Sequence, residues 1–334
     1  PEHRRTHGPA YAGAMINVAT IGSSIITEAF ARAVAQVEGI SLHTATSRDA
    51  ARAAEIARRI GAPHAASDLD AVLADPAIDA VYVGSPNSVH AEQIRAALAA
   101  GKHVFVEKPA VSSEQEWVAL AEAATERGVI LMEGMRLAYD PGIGVVRDLL
   151  PTLGVLRRAS LHYGKRSSRY DDVLAGRRVN IFDPEMGGGA LADLGVYPVH
   201  AAVLLFGRPD TVRALDVPIA SGADGAGVAL LGYPGLVVDV SYSKITNAGR
   251  VSEIEGEQAT LSIDDLVSPR RVVRHAVDGD REAVEIPDER HSLRGEVERF
   301  VALVEAGGTA AAEDQERTRL TLETMARIRA ALAR

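Results

Sequence analysis

Short apolar segments alternate with amphipathic helical segments in the N-terminal part of the chain, and this alternation constrains the fold more than any other feature. The predicted strands are residues 16–21, 40–45, 80–83, 104–106 and 129–132, and segments with helical spacing of their apolar side chains separate them. Strands and helices in alternation form a parallel, doubly wound sheet with helices on both faces. We therefore predict an α/β domain over residues 15–134.

One of these strands ends in a charged pair followed by proline. Residues 104–106 are Val-Phe-Val, and Glu107, Lys108 and Pro109 follow directly. Proline cannot continue a central strand and favours an extended conformation in the residue before it, so the chain leaves the sheet at Lys108. Ligands of open α/β sheets bind at this carboxyl edge, where a lysine can reach a substrate oxygen. The alternative is a solvated loop lysine with Glu107 as its surface partner.

The composition is that of an ordinary globular chain with an acidic balance. Its 334 residues suggest two domains, and the net charge of −9 argues against nucleic acid or a membrane surface as a partner. The chain has no cysteine, which fits a reducing compartment, so we expect a cytoplasmic protein. No uninterrupted apolar run reaches the roughly 18 residues that span a bilayer. Residues 1–14 lack the apolar core of a signal peptide and are interpreted as a leader or an expression remnant.

The turn after the first strand has part of a dinucleotide-binding signature. A G-x-G-x-x-G turn between a strand and a helix lets a pyrophosphate approach the helix N-terminus, as in Rossmann domains. Gly22 retains the first glycine, whereas Ser24 and Thr27 replace the second and third. A serine still permits a close backbone approach, and its hydroxyl can donate to a phosphate. The candidate cofactor contacts in this turn are Gly22, Ser23, Ser24 and Ile25.

The end of the second strand predicts which nicotinamide cofactor is used. An acid at this point binds the ribose 2′-hydroxyl of NAD, whereas an arginine accommodates the 2′-phosphate of NADP. Ser47 and Arg48 occupy the tip, and Arg52 lies one helical turn later on the same face. Asp49 is more typical of an acid at a helix start. We therefore predict NADP(H), with NAD as the alternative if Arg48 and Arg52 are only solvated helix charges.

Small and polar residues also follow the strand at 80–83. Because small residues at a strand end let a cofactor lie against the backbone, this segment is a further candidate cofactor contact. Its candidate residues are Ser85, Pro86, Asn87 and His90. Alternatively, Asn87 is a helix cap and His90 is a packing histidine.

Three glycines, at positions 187 to 189, precede a helix predicted over residues 190–206. Asp193 and Tyr197 are four residues apart and therefore share a face of this helix, and His200 lies three residues further along. The alternatives are an acid favoured by the helix dipole for Asp193, a buried aromatic for Tyr197, and packing for His200.

Together these segments resemble the glucose–fructose oxidoreductase/inositol dehydrogenase (Gfo/Idh/MocA) family, from residue 16 to the C-terminus. The resemblance rests on Pro86-Asn87 with His90, on Glu107-Lys108-Pro109, and on the segment 187–197, which reads Gly-Gly-Gly-Ala-Leu-Ala-Asp-Leu-Gly-Val-Tyr. It is closest to the dimeric dihydrodiol dehydrogenase branch, which has tyrosine where inositol dehydrogenases have histidine and which implies NADP.

Two positions depart from the family pattern. Position 24 is serine where the family has glycine, and Arg136-Leu137-Ala138 stands where the dihydrodiol enzymes have an aromatic–x–arginine pattern. The second departure argues against a dihydrodiol substrate.

The resemblance also implies a site at the nicotinamide, with Tyr197 as the proton-transfer group and with Glu107 and Lys108 beside the cofactor. Hydride leaves a carbinol carbon only as the hydroxyl proton is removed. A free tyrosine, with a pKa of about 10, is a poor base near neutrality, but a nearby ammonium favours the phenolate. We expect Lys108 to supply that charge and to polarise the substrate oxygen. Asp193 would orient the lysine or the sugar hydroxyls.

From residue 210 to 286 the pattern changes to short β runs punctuated by glycine, proline and aspartate. This predicts a C-terminal α+β domain, residues 135–311, with a large, mostly antiparallel open sheet and the helix of Tyr197 on one face. We expect a second copy to cover the other face, giving a homodimer or homotetramer. The resemblance implies that the last helix, in residues 312–334, returns to the first domain.

The candidate substrate contacts share polar or charged side chains suited to hydroxyl groups, although the loop 165–172 is equally consistent with a solvated surface. They are Arg136, Arg166, Arg169, Tyr170, Asp193 and His200.

The sequence therefore predicts an NADP(H)-dependent oxidoreductase that moves a hydride between the nicotinamide and a carbinol or carbonyl carbon of a sugar, polyol or related cyclic alcohol. No metal site is predicted. The alternative is a non-catalytic cofactor- or sugar-sensing regulator, which has no need for Lys108, Asp193 and Tyr197 together. A third possibility is a net non-redox reaction in which bound cofactor is recycled.

Overall fold

The computed structural model describes residues 15–287 and 291–332, so the predicted leader at 1–14 lies outside the described residues. The N-terminal elements are β1 (Ile16–Ile21), α1 (Ile25–Val34), β2 (Ile40–Thr46), α2 (Ala50–Ile60), β3 (His64–Ala66), α3 (Leu69–Ala74), β4 (Ala80–Val83), α4 (His90–Ala99), β5 (His103–Glu107), α5 (Glu114–Arg127) and β6 (Leu131–Gly134). All six strands are parallel, in the order β3-β2-β1-β4-β5-β6. The predicted doubly wound sheet is confirmed.

Side-chain caps and glycines explain where several of these helices begin and end. Asp49 accepts the backbone N–H of Arg52 at 2.7 Å, so the predicted helix-start acid is confirmed. Ser113 caps α5 in the same way. Gly128, with φ of +66°, ends α5 in the left-handed conformation that glycine adopts at little cost.

The second half contains α6 (Pro141–Leu149), β7 (Leu156–Gly164), α7 (Tyr170–Leu174), α8 (Val196–Phe206), β8 (Thr211–Pro218), β9 (Asp224–Tyr233), β10 (Leu236–Ser243), β11 (Ser252–Gly256), β12 (Ala259–Ile263), β13 (Arg271–Ala276), β14 (Arg281–Glu285), α9 (Arg294–Ala306) and α10 (Ala312–Leu332). The strands form one eight-stranded sheet in the order β14-β13-β12-β11-β7-β10-β9-β8. Every neighbouring pair is antiparallel except β7 and β10. The predicted mostly antiparallel sheet is therefore confirmed.

One face of this sheet is covered by α8, whose residues are nearly all buried. The helical stretch Pro184–Phe206 is long and apolar enough to cross a membrane by length and composition, but most of it is buried inside this domain. It is the core helix of the second half.

The last helix lies against both halves. Gln315 of α10 accepts a hydrogen bond at its backbone oxygen from Trp117 Nε1 at 2.9 Å and donates from its side chain to the backbone oxygen of Leu131 at 3.1 Å. Helix α10 also packs on α8 and β8. This helix ties the parallel sheet to the larger one.

Candidate active site

Lys108 occupies the carboxyl end of β5, between the ends of β4 and β6, and the peptide bond that joins it to Pro109 is cis. Its ammonium reaches across to the second half of the chain. Nζ donates to the backbone oxygen of Asp193 at 2.7 Å and to Asp193 Oδ1 at 2.9 Å. The structure therefore brings together two side chains that are 85 positions apart in the sequence.

A turn of π-helix explains why the backbone oxygen of Asp193 is free to accept this bond. Residues Leu191–Gly195 are π-helical and lead directly into α8. In a π-helix each carbonyl bonds the N–H five residues later, and for Asp193 that residue is Pro198, which has no N–H. A carbonyl left over in a partly buried helix needs another donor, and Lys108 supplies it.

A second lysine, Lys244 at the end of β10, holds the other carboxylate oxygen of Asp193. The distance from Nζ to Oδ2 is 2.7 Å, and the same ammonium donates to the backbone oxygen of Ile181 at 2.8 Å. The side chain of Lys244 is only 2% exposed. Asp193 is therefore fixed between two cations, one from each half of the molecule.

These contacts shift the pKa values of the three groups in different directions. Burial alone would raise the pKa of Asp193, but the two ammonium groups outweigh burial and hold it below its usual range. Burial alone would lower the pKa of Lys108, but Asp193 and Tyr197 outweigh it and raise that pKa. For Lys244 burial prevails, and its pKa is lowered. Lys108 is accordingly an ammonium and Asp193 a carboxylate over the physiological range.

Tyr197 lies on α8 just after the π-helical turn and is 6% exposed. Lys108 Nζ is 4.8 Å from the centre of its ring. The phenol oxygen accepts a hydrogen bond from Arg136, which sits in the short turn after β6, at 3.2 Å. Tyr163 of β7 packs edge-on against the ring, and burial raises the pKa of Tyr163 to about 12. Tyr163 is therefore a poor base near neutrality, which leaves Tyr197 as the phenol with two cations beside it.

Two buried glutamates, Glu107 and Glu296, act electrostatically on Arg136. Glu107 accepts a hydrogen bond from Tyr82 Oη at 2.7 Å, and burial raises its pKa. Glu296 of α9 is also fully buried, and burial together with the charge of Glu107 raises its pKa well above the usual value. The sequence-based assignment of Glu107 to the cofactor is corrected, because this carboxylate faces Tyr82 inside the domain.

Glu133 is a third buried acid, on β6. Its carboxylate accepts the N–H of Ala110 at 2.8 Å and the hydroxyl of Thr318 at 3.0 Å, and burial raises its pKa to about 7. It joins the segment that follows Lys108 to the last helix.

The turn after β1 forms a cradle at the other side of the same sheet edge. Gly22 has φ of +119°, and a Cβ atom at this position would lie 2.5 Å from the backbone oxygen of Gly84. Only glycine fits, so the chain passes very close to the end of β4, directly before the N-terminus of α1. Ile25 opens α1 with a side chain that is 80% exposed, an apolar surface that a bound ligand can cover. This cradle fits a dinucleotide whose pyrophosphate lies against the backbone and the first amides of α1.

Arg52 points into this turn, since its Nε donates to Ser23 Oγ at 2.5 Å. Arg48 is exposed beside it at the end of β2, where Ser47 bonds through its backbone to β3. Arg52 therefore contacts the cradle, and Arg48 lies in the segment between β2 and α2.

Both histidine assignments are corrected. His90 is completely buried, with Nε2 2.9 Å from the backbone oxygen of Ser85 and Nδ1 3.2 Å from that of Pro109. It joins the ends of β4 and β5, which favours the packing alternative. His200 is 2% exposed, lies 3.1 Å from the Thr321 hydroxyl of α10, and has its pKa lowered by burial to about 3. These surroundings favour the packing alternative for His200.

The remaining candidates are placed as follows. Asn87 donates to the backbone oxygen of Gly187 at 3.3 Å, so the end of β4 touches the glycine segment of the other half. The Ser24 hydroxyl lies 3.5 Å from the backbone oxygen of Gly84, and Ser85 donates to Gln93 at 2.6 Å, next to the exposed Pro86.

The polar loop 165–172 pairs largely with itself. Arg166 binds Asp171 at 2.7 Å and Arg169 binds Asp172 at 2.8 Å, while Tyr170 packs against Phe182. The backbone N–H of Ser167 in this loop donates to the backbone oxygen of Lys244 at 2.9 Å, so the loop lies beside the lysine that binds Asp193.

Sequence reasoning missed Lys244, Glu296 and the bond between Arg136 and the phenol. Lys244 ends an alternating strand, which was a usable signal, but its meeting with Asp193 depends on non-local contacts. Only the packing of β10 against the π-helical segment brings them together.

The chain matches two family models and several known proteins. Residues 16–135 match the oxidoreductase family, NAD-binding Rossmann fold, and residues 152–262 match the GFO/IDH/MocA C-terminal domain. It is 38% identical to the scyllo-inositol 2-dehydrogenase (NADP(+)) of Bacillus subtilis strain 168, over 93% of this chain and 95% of that one. It is 30% identical to the trans-1,2-dihydrobenzene-1,2-diol dehydrogenase of Macaca fascicularis, over 67% and 65%.

Among solved structures, a 3-ketoreductase from Actinomadura kijaniata in complex with NADP and TDP-benzene superposes with a TM-score of 0.85. It is 26% identical, and the match covers 95% of this chain and 98% of that one. The predicted family and the predicted oxidation or reduction at a CH–OH carbon are confirmed. The chain belongs to the Gfo/Idh/MocA family of NAD(P)-dependent oxidoreductases.

Proposed function

We propose that this protein is an NADP(H)-dependent oxidoreductase that acts on a carbinol or carbonyl carbon of a sugar, polyol or related cyclic alcohol. The observation that carries the proposal is the meeting of Lys108 and Tyr197. An ammonium from the sheet edge where cofactors bind lies 4.8 Å from the ring of a phenol on α8. A regulator of the same fold would not require this pair.

Tyr197 is the acid/base group in this proposal. In the oxidative direction the substrate O–H bond breaks and its proton passes to the phenolate oxygen, and in the reductive direction the phenol returns it. Lys108 uses two of its three N–H groups on Asp193, and the third is available to the substrate oxygen, where negative charge develops. Asp193 holds Lys108 in place. Bound nicotinamide would accept the hydride in the oxidative direction and supply it in the reductive direction.

NADP rather than NAD is supported by Arg48 and Arg52. Arg48 follows the end of β2, and Arg52 on α2 reaches Ser23 in the cradle. A guanidinium there matches the 2′-phosphate of NADP, whereas NAD would favour an acid. The named activity of the Bacillus relative uses NADP, and the solved ketoreductase holds it.

The substrate class follows from the polar loop and from the relatives. Arg166, Arg169 and Tyr170 lie in a loop whose backbone contacts Lys244, so they remain candidates for hydroxyl groups. Relatives are named for scyllo-inositol and, in Haloferax volcanii, for D-xylose. A polyhydroxylated ring suits both.

Binding and turnover test this proposal separately. NADP⁺ and NAD⁺ are titrated against the fluorescence of Trp117 and the tyrosines, and reduction of each is then followed with a panel of inositols, aldoses and cyclic alcohols. We expect tighter binding of NADP⁺ and turnover with at least one ring polyol. A preference for NAD⁺ would refute the cofactor assignment, and tight cofactor binding without turnover on any of the panel would favour the regulator.

A second candidate property, self-association, is supported by the uncovered face of the larger sheet. Leu215, Val217, Val228, Leu230 and Val237 share that face on three adjacent strands, and Leu215 is 75% exposed. Together with the neighbouring ion pair of Arg158 and Asp239, they form a surface suited to a second copy. Sedimentation tests it: the wild type should be at least dimeric, and Leu230→Lys should dissociate it, whereas a concentration-independent monomer would refute it.

A further inference from the structure

Arg136 makes a contact that the family resemblance does not explain. It stands in the turn after β6, where the sequence departs from the aromatic–x–arginine pattern of the dihydrodiol enzymes. Its Nη2 donates to the Tyr197 hydroxyl at 3.2 Å, its guanidinium carbon is 5.8 Å from the centre of the ring, and Nη1 donates to the backbone oxygen of His291 at 3.3 Å. The guanidinium is therefore oriented at the phenol oxygen by two separate hydrogen bonds.

The charges around Tyr197 favour an arginine at this position. Burial alone would lower the pKa of Arg136, but Tyr197, Glu296, Tyr163 and Glu107 outweigh it. Burial raises the pKa of both glutamates, so their neutral forms are favoured and the guanidinium is the charged group beside the phenol. The groups facing Tyr197 are Lys108 from β5, Arg136 from the turn after β6, Tyr163 from β7, and Asp193 one turn earlier on its own helix.

The two cations beside Tyr197 are not equivalent. Lys108 directs two N–H groups at Asp193, and among the described residues it is Arg136 that donates a hydrogen bond to the phenol oxygen. A hydrogen bond from a cation becomes stronger when its acceptor becomes an anion. The acceptor here changes between phenol and phenolate during each proton transfer, so Arg136 favours the phenolate directly.

We propose, on the basis of the proposed function, that Arg136 is the residue that activates Tyr197, and that Lys108 serves mainly the substrate oxygen. Arg136 is a positioning and electrostatic residue, since it acts through the phenol and does not exchange protons itself. A guanidinium stays charged throughout the working pH range, so this stabilisation does not titrate away. The sequence-based expectation gave this role to Lys108, and the present proposal gives it to Arg136.

Ionisation of Tyr197 measured without substrate tests the proposal first. Tyrosinate absorbance is titrated in the full-length wild type and in Tyr197→Phe, and the difference isolates Tyr197. The same pair is then measured with Arg136→Met. We expect the midpoint for Tyr197 to rise by about one pH unit or more, a tenfold change in its acid constant. An unchanged midpoint would overturn the proposal. Arg136→Gln, a second neutral variant, decides in the same way if Arg136→Met does not fold.

A kinetic double-mutant cycle is the second test. With an active alcohol and NADP⁺, Arg136→Met should lower kcat about tenfold or more at neutral pH in the wild-type background, with the activity recovering as the pH is raised. In the Tyr197→Phe background the same change should have less than a twofold effect, since the group it acts through is gone. Equal losses in both backgrounds would overturn the proposal.

The two proposals fail in different ways. If no alcohol or ketone is turned over by the wild type, the proposed function fails, while the tyrosinate titration still decides whether Arg136 favours the phenolate. If turnover is found and Arg136→Met leaves both the midpoint and the cycle unaffected, only this inference fails.

Discussion

Two lysines from opposite halves of the molecule contact the same carboxylate, and they differ in almost every other respect. Lys108 ends a strand of the parallel sheet with a side chain that is 13% exposed, whereas Lys244 follows β10 of the larger sheet and is 2% exposed. The pKa of Lys108 is raised, because Asp193 and Tyr197 outweigh its burial, while burial lowers the pKa of Lys244.

The difference between the two lysines shows that Asp193 has two partners with different functions. Asp193 cannot offset the desolvation of both ammonium groups equally. Lys108 is open to the interdomain site and suited to chemistry, whereas Lys244 also bonds the backbone of Ile181 and is suited to holding Asp193 in position. Substitution of the two lysines should therefore have opposite consequences for activity and stability.

The largest effect is expected from Lys108→Ala. It removes the cation that faces the substrate oxygen, so kcat should fall about 10²- to 10⁴-fold. NADP⁺ affinity should change little, because Gly22 and Arg52 lie at the other side of the sheet edge. Steady-state kinetics and cofactor titration measure both, and wild-type turnover in this variant would remove the distinction between the two lysines.

Tyr197→Phe should have the next largest effect, about 10²-fold or more on kcat, because the acid/base oxygen is lost. Tyr163→Phe is the matched control: it removes a phenol that packs against the same ring, and kcat should stay within a few-fold. Similar losses in the two variants would mean that the phenol of Tyr197 has no special role.

Lys244→Met should act mainly on stability. It leaves one oxygen of a partly buried carboxylate without its cation, at a cost of about 1–3 kcal/mol in the free energy of unfolding. Lys108 still binds Asp193, so kcat should fall less than about tenfold. Denaturant unfolding and kinetics on one preparation test this. A loss of activity as large as in Lys108→Ala, without a loss of stability, would contradict the division of functions.

Glu133 is a buried acid that binds the segment following Lys108, and it gives a pH-dependent test of stability next to that lysine. Its pKa is about 7 in the folded chain, above the value of about 4.3 for a free glutamate, so the folded state holds the additional proton between these pH values. The free energy of unfolding must therefore decrease as the pH rises through this window. Glu133→Gln should flatten that decrease by about 2–3 kcal/mol between pH 5 and 8. The exposed Glu126→Gln is the control, and an unchanged slope in Glu133→Gln would contradict the assignment.

The smallest effect is expected at the far end of the same sheet. Arg52→Ala should weaken NADP⁺ binding about tenfold and leave NAD⁺ binding and kcat almost unchanged, because only NADP carries the 2′-phosphate. Arg58→Ala, an exposed arginine on the same helix, should change neither. Equal weakening of both cofactors by Arg52→Ala would show that the arginine supports the turn and not the phosphate.

The strand ends and helix faces of the site were predictable because they depend on local patterns. Proline after a buried strand placed Lys108 at the sheet edge, and a spacing of four residues placed Asp193 and Tyr197 on one helix. The π-helical turn that contains Asp193 was not predicted, since it depends on Pro198 and on the donor that Lys108 brings from elsewhere.

The errors concern residues whose surroundings are set by distant chain segments. His90 reads as a strand-end ligand, but the cis-linked Pro109 and Ser85 both turn their carbonyl oxygens towards it. The three-residue β3 was missed because it has no alternating apolar pattern. Lys244 could not be assigned to Asp193, because the position of β10 depends on its parallel pairing with the distant β7, which no local sequence pattern indicates.

The missing amide of Pro198 has a consequence for motion. The two halves of the protein touch at the site through Lys108 and the backbone oxygen of Asp193, a bond that also completes the helix on which Tyr197 stands. If the two halves separated here, that carbonyl would exchange the lysine donor for water. The same ammonium thus joins the two halves and completes the helix that carries Tyr197, so a change at this contact alters both.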